Sequence, residues 1–189
     1  MSAQPAEEHR LVAGRFGDLA DRAGPGDWDA PAPVPGWTAR DVVGHLVEWL
    51  PGFLGDDLGR ELSEVDLTDP ARAWRLRAAQ VQALIENRPD EVFHQHRLGE
   101  LKLAEAIDQY YTTDVFMHTW DLARALGIEP DLDQARAARL LAGMQPYEQL
   151  MRASGEYGPR IEVAPDATVP DRLVGFIGRD PAWRRPTRR

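Results

Sequence analysis

Apolar residues recur along this chain at three- and four-residue spacings, in blocks separated by proline- and glycine-rich breaks. The first block sets Leu11, Val12, Phe16, Leu19 and Ala20 on one stripe and predicts a helix over roughly residues 5–23. The stretches Gly24-Pro25-Gly26-Asp27 and Pro31-Ala32-Pro33-Val34-Pro35-Gly36 then force a loop. A second helix begins at Trp37-Thr38-Ala39-Arg40-Asp41, with Thr38 placed as N-cap and Asp41, three residues on, as the acid of a capping box. It carries Val42, Val43, Leu46, Trp49 and Phe53, with His45 beside them on the inner side, and Pro51-Gly52 weakens its far end. A third helix starts at Asp69-Pro70 and runs to about Asn87, with Trp74, Leu76, Val81, Leu84 and Ile85 apolar. The alternating Val92–Gly99 stretch reads as extended. The fourth and longest helix covers about Leu101 to Leu126 and stops at Gly127; a fifth covers about Leu132 to Ala153, and a short one lies near Pro170 to Gly178.

No segment shows the strand–helix–strand alternation of a parallel sheet, so this list predicts an all-α bundle of antiparallel helices around one core. The chain has 189 residues, enough for one domain with a core of its own. We divide it into a helical bundle over residues 1–155 and a C-terminal extension, residues 156–189, packed on that bundle and ending in a basic tail, Trp183 to Arg189. The tail is expected to be a solvated end.

Two polar residues interrupt the apolar stripe of the fourth helix, which runs through Ile107, Tyr111, Leu122 and Ala125. Asp114 and His118 are four residues apart, slightly more than one turn, so they leave the same face one above the other. A buried charge is costly unless it is paired or coordinates a metal. With His45 they make a carboxylate and two imidazoles, borderline donors suited to zinc, nickel or iron, and three protein ligands leave open positions on such an ion. The same spacing also describes a buried, hydrogen-bonded Asp–His pair without metal, and on spacing alone that reading stands slightly ahead. Asp121, three residues after His118, is placed either to orient its imidazole or to pair with Arg124. Glu48 stands in the same relation to His45. His94 and His96 are expected to be exposed, His9 to lie on the surface, and Tyr110 and Tyr111 to fill the core.

Charge narrows the function classes. The net charge of −9 argues against a nucleic-acid partner, whose phosphates require basic residues. The chain has no cysteine, which excludes disulfides, zinc–thiolate sites and a thiol nucleophile of its own. The N-terminal stretch has no apolar signal core and no run approaches membrane-spanning length, so no membrane association and a cytoplasmic location are expected. Neither a glycine-rich phosphate loop nor a Gly-x-Ser-x-Gly elbow occurs.

Two stretches together carry a resemblance. Trp37-Thr38-Ala39-Arg40-Asp41-Val42-Val43-Gly44-His45-Leu46, followed by Asp114-x-x-x-His118-Thr119-Trp120-Asp121-Leu122-Ala123-Arg124-Ala125-Leu126-Gly127, resembles the DinB-like superfamily. Within it, the chain is most similar to the group around the mycothiol-dependent maleylpyruvate isomerase N-terminal domain, and the stretch from Tyr157 to Trp183 resembles a subgroup described only as metal-binding proteins. The resemblance implies a DinB-like four-helix bundle with short C-terminal elements, and a divalent metal held by His45, Asp114 and His118. It further implies that the metal binds a low-molecular-weight thiol such as mycothiol for attack on an electrophile, as an S-transferase or isomerase does. The alternative is a non-catalytic member that keeps a metal for structure or sensing. A small-molecule thiol and electrophile are the expected partners, and a homodimer is compatible with this reading. Asp114 stands where the isomerase has glutamate, and too few residues follow the last long helix for that enzyme's additional C-terminal domain, so maleylpyruvate isomerisation itself does not transfer.

Overall fold

A computed structural model describes residues 4–155 and 157–186, without the side chains at 56 and 57. Glu156, beside the expected domain division, and Thr187, Arg188 and Arg189 of the basic tail lie outside the described residues. The elements in chain order are α1 (Pro5–Ala20), α2 (Ala39–Gly59), α3 (Pro70–Asn87), β1 (Val92–Gln95), β2 (Gly99–Lys102), α4 (Leu103–Ala106), a π-helical turn (Ile107–Thr112) and α5 (Thr113–Ala125). They continue with α6 (Gln134–Met144), a 3-10 turn (Gln145–Tyr147), α7 (Glu148–Ser154) and α8 (Val169–Phe176). The fold is all-α apart from one antiparallel hairpin. α1 and α2 each pack on both α3 and α5, which closes a four-helix bundle, while α6 packs on α8. Among the described residues no helix is long and apolar enough to cross a membrane.

Helix starts follow local chemistry. The Thr38 hydroxyl accepts from the Asp41 backbone N–H while the Asp41 carboxylate accepts from the Thr38 backbone N–H, so two otherwise orphaned donors are satisfied. Asp69 caps α3 through the Arg72 N–H, with Pro70 in the first turn. Inside α2 Pro51 has no N–H to give the carbonyl of Val47. The buried Arg77 of α3 supplies it instead, its Nε donating to that oxygen at 2.9 Å. The break in α2 itself falls at Gly55, whose φ of +76° only glycine adopts without strain.

The core runs between the four helices. Phe16 lies against Trp74 with ring centroids 4.4 Å apart, and the Trp74 indole N–H donates to the Ala13 carbonyl. Tyr111, wholly buried, donates its hydroxyl to the Leu46 carbonyl at 3.0 Å. Two apolar residues of the expected stripes face outward: Leu11 is 58% exposed and Leu76 45%. His9, expected on the surface, is 1% exposed, and its Nδ1 meets the Gln82 side chain at 2.7 Å. The reason is phase, since the inward face of α1 is His9, Val12, Ala13, Phe16 and Ala20.

Three expected elements are corrected. The fourth helix begins at Leu103 rather than Leu101, because Gly99–Lys102 pairs with Val92–Gln95 in the register Val92↔Lys102 to Gln95↔Gly99. The fifth is broken by a 3-10 turn at Pro146, which cannot donate to the helical ladder. The described part of the tail is tethered rather than free: Trp183 packs on the core and the Arg185 guanidinium pairs with Asp27 at 2.8 Å. Further back, Arg152 of α7 donates to the carbonyls of Gly158 and Phe176, and Arg124 of α5 donates to that of Pro181. The buried residues Leu173, Val174, Phe176 and Ile177 join the same apolar cluster as the bundle.

Candidate metal centre

α5 is buried on nearly every side, and Asp114 is the one residue along it that is partly open. The π-helical turn immediately before it adds about one residue to a turn, so the side chains after it are rotated relative to an unbroken helix. Beyond that turn Asp114 and His118 face α2, where Val42, Val43, Leu46 and Leu50 bury the inner face and His45 emerges beside them.

One donor atom each from His45, Asp114 and His118 lies within 4.8 Å of the other two. His45 Nε2 is 3.0 Å from Asp114 Oδ2, and His118 Nε2 is 3.5 Å from Asp114 Oδ1. The two imidazoles meet edge-on at 5.0 Å between centroids. Side-chain exposure is 32% for His45, 20% for Asp114 and 7% for His118, so the cluster is reached from the His45–Asp114 side. Trp37 borders it, with its ring 5.1 Å from that of His45 and stacked 5.7 Å from that of His118. Trp49 also stacks on His45, with ring centroids 6.2 Å apart.

The donor set fits a divalent ion. Ligand distances of about 2.1 Å in a tetrahedral site place neighbouring donors about 3.4 Å apart, and the two Asp114–imidazole separations are close to that edge. The tautomer of His118 also fits. Its Nδ1 lies 2.9 Å from Asp121 Oδ2, and a carboxylate only accepts, so Nδ1 carries the proton and Nε2 is turned toward Asp114.

Electrostatics couple the cluster. Burial by itself would push the Asp114 carboxyl upward, but His118 and His45 outweigh it, helped by the indole N–H of Trp49, and the carboxyl is held below its ordinary value. The Trp49 Nε1 makes no well-aligned hydrogen bond, so its contribution is that of a nearby dipole. Burial likewise disfavours the His118 imidazolium, but the carboxylates of Asp114 and Asp121 reverse the balance and raise its pKa above the usual imidazole value.

Of the remaining candidates, Asp121 is fully buried and bonded to His118, and its ion pair is with Arg179 rather than Arg124. Arg124 pairs with Glu129 and lies over Trp120. Glu48 is exposed on α2 and is not brought to the cluster. His94 and His96 are exposed at the hairpin. Sequence reasoning missed Trp37 as a wall of the site and Arg179 as a partner of Asp121. No local pattern signals either, because both depend on which segments become neighbours.

Residues 9–61 match the family model of the mycothiol maleylpyruvate isomerase N-terminal domain, a stretch that contains His45 and ends before Asp114. Two curated relatives, uncharacterized proteins of Mycobacterium tuberculosis strains H37Rv and CDC 1551, are each 29% identical over 191 residues. Each alignment covers 93% of this chain and 97% of the relative. No solved structure matches.

Proposed function

We propose that this chain is a divalent-metal protein whose ligands are His45, Asp114 and His118, and that it uses a low-molecular-weight thiol of the mycothiol type to attack an electrophile, as an S-transferase or isomerase. The observation that carries this reading is the convergence of two imidazoles and one carboxylate at a partly open point of a bundle whose own chain contains no cysteine. A bound divalent ion lowers the pKa of a coordinated thiol and so supplies a thiolate at neutral pH. The protein's part is orientation and exclusion of water. Asp121 fixes the His118 tautomer, Asp114 contributes the negative charge, and Trp37 and Trp49 wall the imidazoles with apolar surface. The donors suit zinc, nickel or iron.

A non-catalytic role for the metal, in structure or sensing, is supported by a different observation. His118 is only 7% exposed, and the rings of Trp37 and Trp49 close on the imidazoles with apolar surface. The two readings separate in one experiment. Protein purified without an affinity tag is analysed for metal and, once metallated, titrated with mycothiol in buffers of different ionisation enthalpy. The expected result is about one ion per chain and a proton released as thiol binds. A metal-loaded protein that ignores the thiol leaves the non-catalytic role; no metal, and no uptake of zinc, nickel or iron, leaves a hydrogen-bonded Asp–His cluster.

A further inference from the structure

Asp121 links the C-terminal segment to the candidate metal cluster. Its wholly buried carboxylate has two partners. One is His118 Nδ1 on the same helix, 2.9 Å from Oδ2. The other is the guanidinium of Arg179, which lies beyond α8, with Nε 3.3 Å from Oδ1 and Nη2 3.3 Å from Oδ2. A planar fork facing both oxygens of a carboxylate is the arrangement that defines its orientation most strongly.

Arg179 is itself held in place. The chain leaves α8 through Gly178 at φ +88°, where an added Cβ would stand 2.9 Å from the backbone of Gly158. The Arg179 backbone N–H then donates to the Val174 carbonyl at 3.0 Å, and its Nη1 to that of Ile177. The guanidinium is therefore delivered to Asp121 by a rigid turn rather than by a loose side chain.

We propose that Arg179 is a positioning residue of the metal site. By engaging both oxygens of Asp121, it holds that carboxylate in the one orientation that fixes the His118 imidazole, so the affinity of the cluster for its ion depends on the C-terminal segment. The terminal torsion of an aspartate is broad when unrestrained. With Arg179 removed, Asp121 keeps a single partner and the imidazole loses its defined direction. Outer partners of this kind change metal affinity by about 10–100-fold. The proposal rests on the metal reading above.

The test uses cobalt(II) titrated into the full-length chain, with affinity and the visible ligand-field spectrum as readouts, for Arg179→Met, Arg179→Lys, Asp121→Asn and the Asp121→Asn/Arg179→Met pair. Arg179→Met is expected to lose about 10–100-fold in affinity and to alter the spectrum, and Arg179→Lys to recover part of both. In the Asp121→Asn background the Arg179 change is expected to add nothing, because its route to the site is already cut. Wild-type affinity and spectrum in Arg179→Met, in a protein that binds cobalt, would overturn this proposal alone. So would losses that simply add in the double variant. Should Arg179→Met fail to fold, Arg179→Lys, which keeps the charge but loses the planar fork, decides: lower cobalt affinity and an altered spectrum relative to the wild type are expected, and wild-type values for both overturn the proposal. A wild-type chain that takes up no cobalt overturns the metal reading and this proposal together.

Discussion

Truncating His118 to alanine separates metal binding from folding. The side chain is 7% exposed and contributes Nε2 to the cluster, yet the bundle's core is spread over four helices and does not hang on this one ring. Removing it leaves Asp121 paired with Arg179 and Asp114 with His45, so no buried carboxylate is orphaned. The metal-free variant is expected to fold, with a loss of about 2–4 kcal/mol for the vacated volume beside Trp37. Ligand linkage sets the size of the main effect: an ion at 100 times its dissociation constant stabilises the wild type by about 2.7 kcal/mol. For a domain of this length each kcal/mol moves Tm by roughly 2–4 °C, so zinc is expected to raise the wild-type Tm by roughly 5–11 °C. In His118→Ala that rise is expected to vanish. Differential scanning calorimetry of tag-free protein, with and without metal, measures both quantities, and the metal-induced shift rather than the absolute Tm is the readout. A variant that keeps the full shift would show that His118 is not a ligand, and the argument from its tautomer would fail with it.

Three further outcomes follow from the packing. Phe16→Ala, at a wholly buried ring against Trp74, is expected to cost about 3–5 kcal/mol in urea unfolding; a loss under 1 kcal/mol would place that ring outside the core. Gly178→Ala introduces a side chain at φ +88° against the Gly158 backbone and is expected to cost at least about 1 kcal/mol, with earlier proteolysis of the segment after α7 than in the wild type. Burial holds the His9 imidazole below its ordinary value, against the opposing hydrogen bond that its Nδ1–H donates to Gln82 Oε1. The unfolded chain therefore binds the extra proton first, and this contribution to stability, full above the ordinary imidazole value of about 6.5, is lost as pH falls from there through the lowered folded-state value. Urea midpoints of wild type and His9→Leu across that range isolate it, and parallel curves would contradict the assignment.

The sequence by itself determined what a few neighbouring residues can settle. The helix starts at Thr38–Asp41 and Asp69–Pro70 are local hydrogen-bond chemistry, and the structure has both. Asp114 and His118 share a face because a helix has 3.6 residues per turn, which needs no tertiary information. The inward position of His9 is also legible, being in phase with Val12, Ala13 and Phe16, although its polarity and acidic neighbours taken alone point outward. The rest belongs to the fold. His45 meets Asp114 from 69 residues away, Arg77 answers the carbonyl that Pro51 leaves open from 30 residues beyond Val47, and Arg179 reaches Asp121 across 58. A buried polar group must find a partner, and the sequence states that need wherever a charge interrupts an apolar stripe. Which partner answers depends on which helices become neighbours and at what rotation, and that is decided only when the whole core packs at once, the π-helical turn before α5 included.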